Sequence, residues 1–151
     1  MYRIFLTALV ICISMQLYAQ QPKHEIGLGF VLGNPCGLSA KMWTTQRTSV
    51  AATAGYQFWG IDHIYMSADF LVHPWILPHE EDLIHIYMGA GLGIGFHSDL
   101  GVDVRVPFGL SLYPDSGPLE IFTELVPALD LVGPDGVKMR FIGYLGTRWY
   151  F

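Results

Sequence analysis

The segment 79–85 reads His-Glu-Glu-Asp-Leu-Ile-His and holds the residue types best suited to metal chemistry. A zinc-protease helix carries its two histidines four positions apart, as H-E-x-x-H, with the glutamate as general base. Starting from His79, that pattern requires a second histidine at position 83, which Leu83 occupies. We therefore expect His79 to lie in an acidic, solvated loop and His85 to begin the next strand, with no dedicated metal site.

The stretch 87–96 has glycine at alternate positions, which raises the possibility of a phosphate-binding loop. The dinucleotide fingerprint G-x-G-x-x-G, started at Gly89, requires a glycine at position 94, where the chain has Ile94. No helical pattern follows the stretch, so the fingerprint fails in context as well. Neither segment supplies catalytic, cofactor-binding or metal-binding residues, and we expect no cofactor and no enzymatic activity.

The alternation at 87–96 instead has the two-residue period of a β-strand, which recurs along the chain. The segments that show it are separated by Gly, Pro, Asn and Asp, and number eight: 25–32, 37–45, 49–59, 64–72, 84–96, 102–113, 119–131 and 137–151. The longest connection is predicted at 73–82. Pro107 and Pro127 lack a backbone N–H, so we expect β-bulges at both positions.

One segment, 119–131, fits two kinds of structure. A helix would place four apolar side chains on one stripe, namely Leu119, Phe122, Val126 and Leu129. A strand would place three acidic residues on one face, namely Glu120, Glu124 and Asp130. We favour the strand, and the helix remains open.

The two faces of the predicted strands differ in chemistry. One face is apolar throughout, and the other carries glycines, tyrosines and charges. The acidic residues on that second face are Asp69, Asp103, Glu120, Glu124 and Asp130. The basic residues there are Lys41, Arg105, Lys138, Arg140 and Arg148.

A continuous apolar face suits lipid, and a mixed face suits a narrow interior in which charges must be paired. The sequence therefore predicts an all-β, antiparallel up-and-down, eight-stranded transmembrane β-barrel. Its interior is expected to be filled by side chains and ion pairs, not to form an open pore. The glycines would leave room for Tyr87, Tyr144, Trp43 or arginine side chains.

Residues 1–19 have the layout of a secretory signal peptide: a basic start, a short apolar run and Ala19 at the end. We expect cleavage there, which leaves 20–151 as a single exported domain. Cys12 would leave with the signal, so the mature protein would keep only Cys36 and contain no internal disulfide.

Charge argues against nucleic acid as a partner. Loss of Arg3 leaves seven basic against thirteen acidic residues, and no basic run is present.

The chain ends on an aromatic residue, Phe151, preceded at alternate positions by Trp149, by Leu145 and by Phe141. This ending resembles the C-terminal strand that the outer-membrane assembly machinery recognises. In size and pattern the mature chain resembles the small eight-stranded barrels exemplified by the OmpA membrane domain and OmpX.

The resemblance implies a monomer in the outer membrane of a Gram-negative-type envelope, with lipid and the assembly machinery as partners. It also implies a structural or surface-interaction role. Aromatic belts are expected at Trp149 and Phe151 on one side of the membrane, and at Phe58 and Phe96 on the other. The connections around Asn34, Gly60, Ser98 and Gly133 are short for adhesion loops.

Two other functions stay open. A soluble, lipocalin-like periplasmic barrel that binds an apolar ligand would need the apolar face turned inward. A barrel enzyme that modifies lipid A would need a histidine and a serine together on the lipid face, and the apolar face contains neither.

Overall fold

A computed structural model describes residues 26–58, 63–79, 82–96, 100–114, 117–133 and 136–151. The regular secondary structure within these ranges consists of nine strands: β1 Ile26–Asn34, β2 Cys36–Trp43, β3 Thr48–Gln57, β4 His63–His79, β5 Asp82–Phe96, β6 Leu100–Arg105, β7 Phe108–Tyr113, β8 Leu119–Val132 and β9 Lys138–Tyr150. The predicted signal peptide, 1–19, lies outside the described residues.

All nine strands belong to one antiparallel, up-and-down sheet that closes on itself. Each strand pairs with its neighbour in the chain, apart from β6 and β7, which lie end to end between β5 and β8. The last strand closes the ring by pairing with the first, from Gly27 opposite Tyr150 to Asn34 opposite Gly143. The predicted all-β, antiparallel, up-and-down arrangement is confirmed.

The number of strands is nine, not eight, because the predicted sixth segment is divided at Val106 and Pro107. The pairing with β8 has the same register on both sides of this break: Arg105 lies opposite Ala128, and Phe108 opposite Leu125. In that register, Pro107 and Pro127 face the same gap in the ladder. The two missing N–H donors thus lie at one place, where the Val106 amide still donates to the Pro127 carbonyl at 3.0 Å, and the register shift expected of a bulge does not occur there.

The predicted long connection at 73–82 is wrong. β4 and β5 continue as a hairpin until His79 lies opposite Asp82. A one-residue bulge lies between Val72 and Trp75 and accommodates Pro74 within the strand. Beyond Val72, β4 no longer pairs with β3, so the prolines of this extension need not donate to a second neighbour.

The segment 119–131 is a strand, β8, as favoured from its acidic face. Among the described residues, no helix is long and apolar enough to cross a membrane.

Side chains alternate between the inside and the outside of the ring. Large apolar side chains point outward and are exposed, as Phe30 and Phe141 are at 64% and 67%. Charged side chains point inward, as Arg105 and Arg148 do at 0% and 1% exposure. The predicted assignment of the two faces, apolar outward and polar inward, is therefore present in the structure.

The ring has two ends, named here by the residues that lie at each. Ile26, Trp43, Tyr113 and Phe151 are at the terminal end, where the Phe151 amide donates to the Ile26 carbonyl at 2.9 Å. Asn34, Gln57 and Val132 are at the far end.

Candidate functional site

The ring interior is the candidate site, because it collects nearly all the buried ionisable side chains of the described residues. They come from every part of the sheet, since inward positions alternate along each strand. They form three groups arranged from the terminal end to the far end.

The group nearest the terminal end is the Glu120 cluster, defined as Lys41, Ser111, Glu120, Arg148 and Tyr150. One carboxylate oxygen of Glu120 accepts from Lys41 Nζ at 2.9 Å and from the Ser111 hydroxyl at 2.5 Å. The other accepts from Arg148 Nη1 at 3.1 Å and from the Tyr150 hydroxyl at 2.7 Å. Glu120 is fully buried, and these four donors replace the water that it loses on burial.

The middle group joins Glu124 and Arg105 through tyrosines. Glu124 accepts from the Tyr87 hydroxyl at 2.7 Å and from the Tyr144 hydroxyl at 2.5 Å. Arg105 donates to the Tyr144 hydroxyl at 2.9 Å and to the Tyr65 hydroxyl at 3.1 Å.

Arg105 also pairs with Asp69, with 2.9 Å between Nε and Oδ1. Neither atom has a hydrogen-bond partner of acceptable geometry among the described residues, so this contact is coulombic and not a directed hydrogen bond.

The group at the far end is the Arg140 cluster, defined as Gln57, Asp103, Asp130 and Arg140. The Arg140 guanidinium lies 3.0 Å from Asp103 Oδ2 and 2.7 Å from Asp130 Oδ1, and it donates to Gln57 at 3.0 Å. Its side chain is 26% exposed and that of Asp130 is 20% exposed, so water reaches this end of the network.

Of the ten charged residues predicted to face inward, nine take part in these contacts. The tenth, Lys138, lies opposite Asp130 on the same alternate positions of β9 as Arg140, but its side chain is exposed. Strand alternation no longer implies burial where the ring ends.

Two glycines show how the interior accommodates large rings. A Cβ added at Gly93 would overlap the Tyr65 hydroxyl and lie 2.5 Å from Asp103 Oδ2. A Cβ added at Gly109 would overlap the ring of Tyr87. The sequence predicted that the glycines of one strand would make room for Tyr87, Tyr144, Trp43 or an arginine reaching over from other strands. The tyrosine that lies over Gly93 of β5 is Tyr65, and Tyr87 instead lies over Gly109 on β7. Trp43, predicted in the same role, instead packs against two histidines.

A fourth feature, the histidine cluster, is defined as Trp43, His73, His85, Tyr87 and Tyr113. The Trp43 ring centre is 4.4 Å from that of His73 and 5.7 Å from that of His85. The Tyr113 ring centre is 4.6 Å from that of His85.

The sequence prediction missed the pairing of His73 with His85, because it assigned His73 to a loop. The inward alternation of Asp69, Leu71 and His73 along β4 is the signal that could have found it. His79, the other member of the 79–85 motif, lies exposed at the hairpin tip. In the described part of the chain, no group of three or more His, Cys, Asp or Glu residues is arranged to hold a metal ion.

Comparison with known protein families, with curated proteins and with solved structures gives no match to this chain.

Proposed function

We propose that this chain is a small outer-membrane β-barrel protein with a structural or surface-interaction role, and that its interior is closed by side chains. The observation that supports the proposal is the inverted distribution of side chains: exposed apolar rows outside and buried ion pairs inside. A soluble protein of this length hides its large apolar side chains, since each exposed one forgoes about 1.5–3 kcal/mol of transfer free energy. Lipid removes that cost.

The outward rows are continuous around the ring. On β1 they comprise Ile26, Leu28, Phe30 and Leu32, each about half exposed or more. Contiguous apolar surface of this extent is typical of a membrane or protein contact. The closed sheet meets the second requirement of a bilayer, that backbone groups be paired within the protein.

The ends of the strands support the proposed aromatic belts. Trp149 and Phe151, at the terminal end, are 50% and 67% exposed. Phe58 and Phe96, at the far end, are 57% and 47% exposed. Aromatic side chains placed in this way suit the two headgroup regions of a bilayer.

The last strand supports the assembly machinery as a partner. On β9 the side chains of Phe141, Leu145 and Trp149 point outward, followed by Phe151. β9 pairs with β1 to close the ring. Before closure, the edge of β9 and its outward residues would be accessible to the assembly machinery.

The interior supports a closed barrel over a pore. Arg105, Arg148, Glu120 and Tyr87 are almost completely buried and cross-linked at successive levels of the ring. We expect no stable conductance step when the purified protein is inserted into a planar bilayer.

The test of the proposal is fractionation of cells that express the full chain. We expect the protein in the outer membrane, extracted only by detergent, and a faster gel mobility for the unheated than for the heated sample. Release with the periplasmic fraction in the absence of detergent would contradict the proposal and favour the soluble, lipocalin-like alternative. The outward apolar rows are the opposite of what that alternative requires.

A further inference from the structure

Five polar atoms at the terminal end of the interior have no hydrogen-bond partner among the described residues: Trp43 Nε1, Ser49 Oγ, His73 Nε2, His85 Nδ1 and His85 Nε2. The four residues that carry them are all at least nine-tenths buried. Buried polar groups are nearly always bonded, to protein, to water or to an ion. Ser49 lies opposite Trp43 in the sheet, so these atoms cluster near one end of the interior and need partners that the described side chains do not supply.

The two imidazoles are positioned on neighbouring strands. His73 lies at the β4 bulge and His85 on β5, and their ring centres are 5.7 Å apart with the planes at 74°. Zn–N bonds of about 2.0–2.1 Å on either side of one ion would join rings separated by about this distance. The separation of the two ring centres is therefore compatible with both imidazoles binding a single ion.

One of these rings is already oriented as a metal-binding histidine is. His73 Nδ1 lies 3.3 Å from the carbonyl oxygen of Arg47. A carbonyl can only accept, so in the neutral ring Nδ1 carries the hydrogen and Nε2 keeps its lone pair. A backbone carbonyl that fixes the tautomer from behind is the usual support of a metal-bound imidazole.

The charges around the cluster decide which ions suit it. Lys41 is a cation beside the cluster, with Nζ 4.7 Å from the Trp43 ring centre, and Glu120, which also pairs with Arg148, lies 2.9 Å from it. The carboxylates of the interior bond to their own cations and tyrosines, so the unsatisfied ligand atoms here are mainly imidazole nitrogens. Mg²⁺ and Ca²⁺ prefer oxygen ligands, whereas imidazole suits copper, zinc and nickel.

We propose that His73 Nε2 and a ring nitrogen of His85 bind a first-row divalent transition-metal ion, with Cu²⁺ preferred over Zn²⁺. Two protein ligands leave the remaining coordination positions to water, to which Ser49 Oγ and Trp43 Nε1 can hydrogen-bond. Trp43 and Tyr113, 6% and 8% exposed, are the members of the cluster nearest to solvent, so an ion would have to enter from the terminal end. The site does not depend on the membrane location proposed above.

The test is calorimetric titration of the full-length protein, without a histidine tag, folded in detergent and stripped of metal by a chelator. We expect one equivalent of Cu²⁺ to bind, Zn²⁺ to bind more weakly in keeping with the Irving–Williams order, and Mg²⁺ not to bind. His73→Gln and His85→Gln should each weaken Cu²⁺ binding at least tenfold, since the glutamine amide can replace hydrogen bonds but not the imidazole ligand. His79→Gln, at the exposed hairpin tip, is the matched control and should leave binding unchanged.

Three results would overturn the proposal. The first is the absence of Cu²⁺ binding to the wild-type protein, which would mean that only water fills the cluster. The second is equal Cu²⁺ affinity in the wild type and both cluster variants, which would place the ion at another histidine. If the variants do not fold, electron paramagnetic resonance of the Cu²⁺-loaded wild type decides, and coupling to fewer than two imidazole nitrogens is the third.

Discussion

The Glu120 cluster and the Arg140 cluster use the same chemistry at opposite ends of the ring, but they differ in access to water. Glu120 and its two cations are 0–1% exposed, whereas Arg140 and Asp130 are 26% and 20% exposed. In the first cluster each charge depends on protein partners alone. In the second, water can replace a lost partner of Arg140 or Asp130, although not of Asp103, whose side chain is 2% exposed.

This difference indicates that the contribution of an ion pair to stability depends on the free-energy cost of removing one of its partners. Removing one partner from a buried pair leaves the other uncompensated, at about 3–5 kcal/mol. Removing one partner from an exposed pair costs about 0–1 kcal/mol. Similar distances, 2.9 Å for Lys41–Glu120 and 2.7 Å for Arg140–Asp130, should therefore correspond to very different effects on stability.

The largest expected effect is that of Glu120→Gln. The amide keeps the shape of the side chain but removes the negative charge that Lys41 and Arg148 share, so the free energy of unfolding should fall by about 3–5 kcal/mol. Urea denaturation of the protein folded in detergent, followed by gel mobility, measures the change. Asp130→Asn is the matched control, with an expected loss of about 1 kcal/mol or less.

Equal losses of stability for the two amide variants would contradict this expectation, because burial would then not decide how much each ion pair contributes. Combining Lys41→Met with Glu120→Gln tests whether the effects of the two residues are coupled. The double variant should lose less than the two single variants together, since Glu120→Gln leaves the buried charge of Lys41, which Lys41→Met removes.

The next effect is steric and tests the region between the two clusters. Gly93→Ala would push its methyl group into the Tyr65 hydroxyl, which Arg105 and Asp103 hold in place at 3.1 Å and 2.9 Å. Overpacking of this kind costs about 1–3 kcal/mol. Gly143→Ala is the control, because its added Cβ would lie 3.9 Å from the nearest atom, the Glu124 carbonyl oxygen. The same urea titration applies, and an unchanged midpoint for Gly93→Ala would show that Tyr65 can move aside.

Much of this arrangement could be predicted from the sequence because it depends on a period of two. Alternation alone assigned Asp69, Arg105 and Glu120 to the interior, and it favoured a strand at 119–131 despite the competing helical stripe. An up-and-down sheet needs little more than that assignment and short turns to be proposed.

What alternation could not predict is where a strand stops or changes register. The hairpin of β4 and β5 runs through Pro74, which local rules treat as the start of a loop, because a bulge and a free edge accommodate it there. His73 and His85 meet only as a consequence of that extension. Alternation also could not predict which cation pairs with Glu120. Closure of the ring decides this, because it brings Lys41, 79 positions away in the chain, to within 2.9 Å of Glu120.

A smaller effect is expected for Arg140→Ala. Asp103, whose side chain is 2% exposed, keeps the hydrogen bond of the Tyr65 hydroxyl, which lies 3.0 Å and 2.9 Å from its two carboxylate oxygens, and Asp130 is partly solvated. The free energy of unfolding should fall by about 1 kcal/mol or less. Arg105→Ala serves as the contrast, because it leaves Asp69 buried without its cation and should lose several times more. A loss for Arg140→Ala as large as that for Arg105→Ala would show that partial exposure does not protect the far end.

The smallest expected effect is that of salt. At 1 M ionic strength the Debye length falls to about 3 Å, so charges in contact with water are largely screened, whereas buried pairs are screened much less. Raising NaCl from 0.1 M to 1 M should therefore reduce the stability difference between the wild type and Arg140→Ala by a few tenths of a kcal/mol. The difference between the wild type and Glu120→Gln should not change. Using differences between variants cancels the general influence of salt on the detergent and on apolar burial. A comparable reduction in the stability difference between the wild type and Glu120→Gln would mean that water and ions reach the terminal end of the interior. The two clusters would then differ in their distance from the surface but not in their access to solvent.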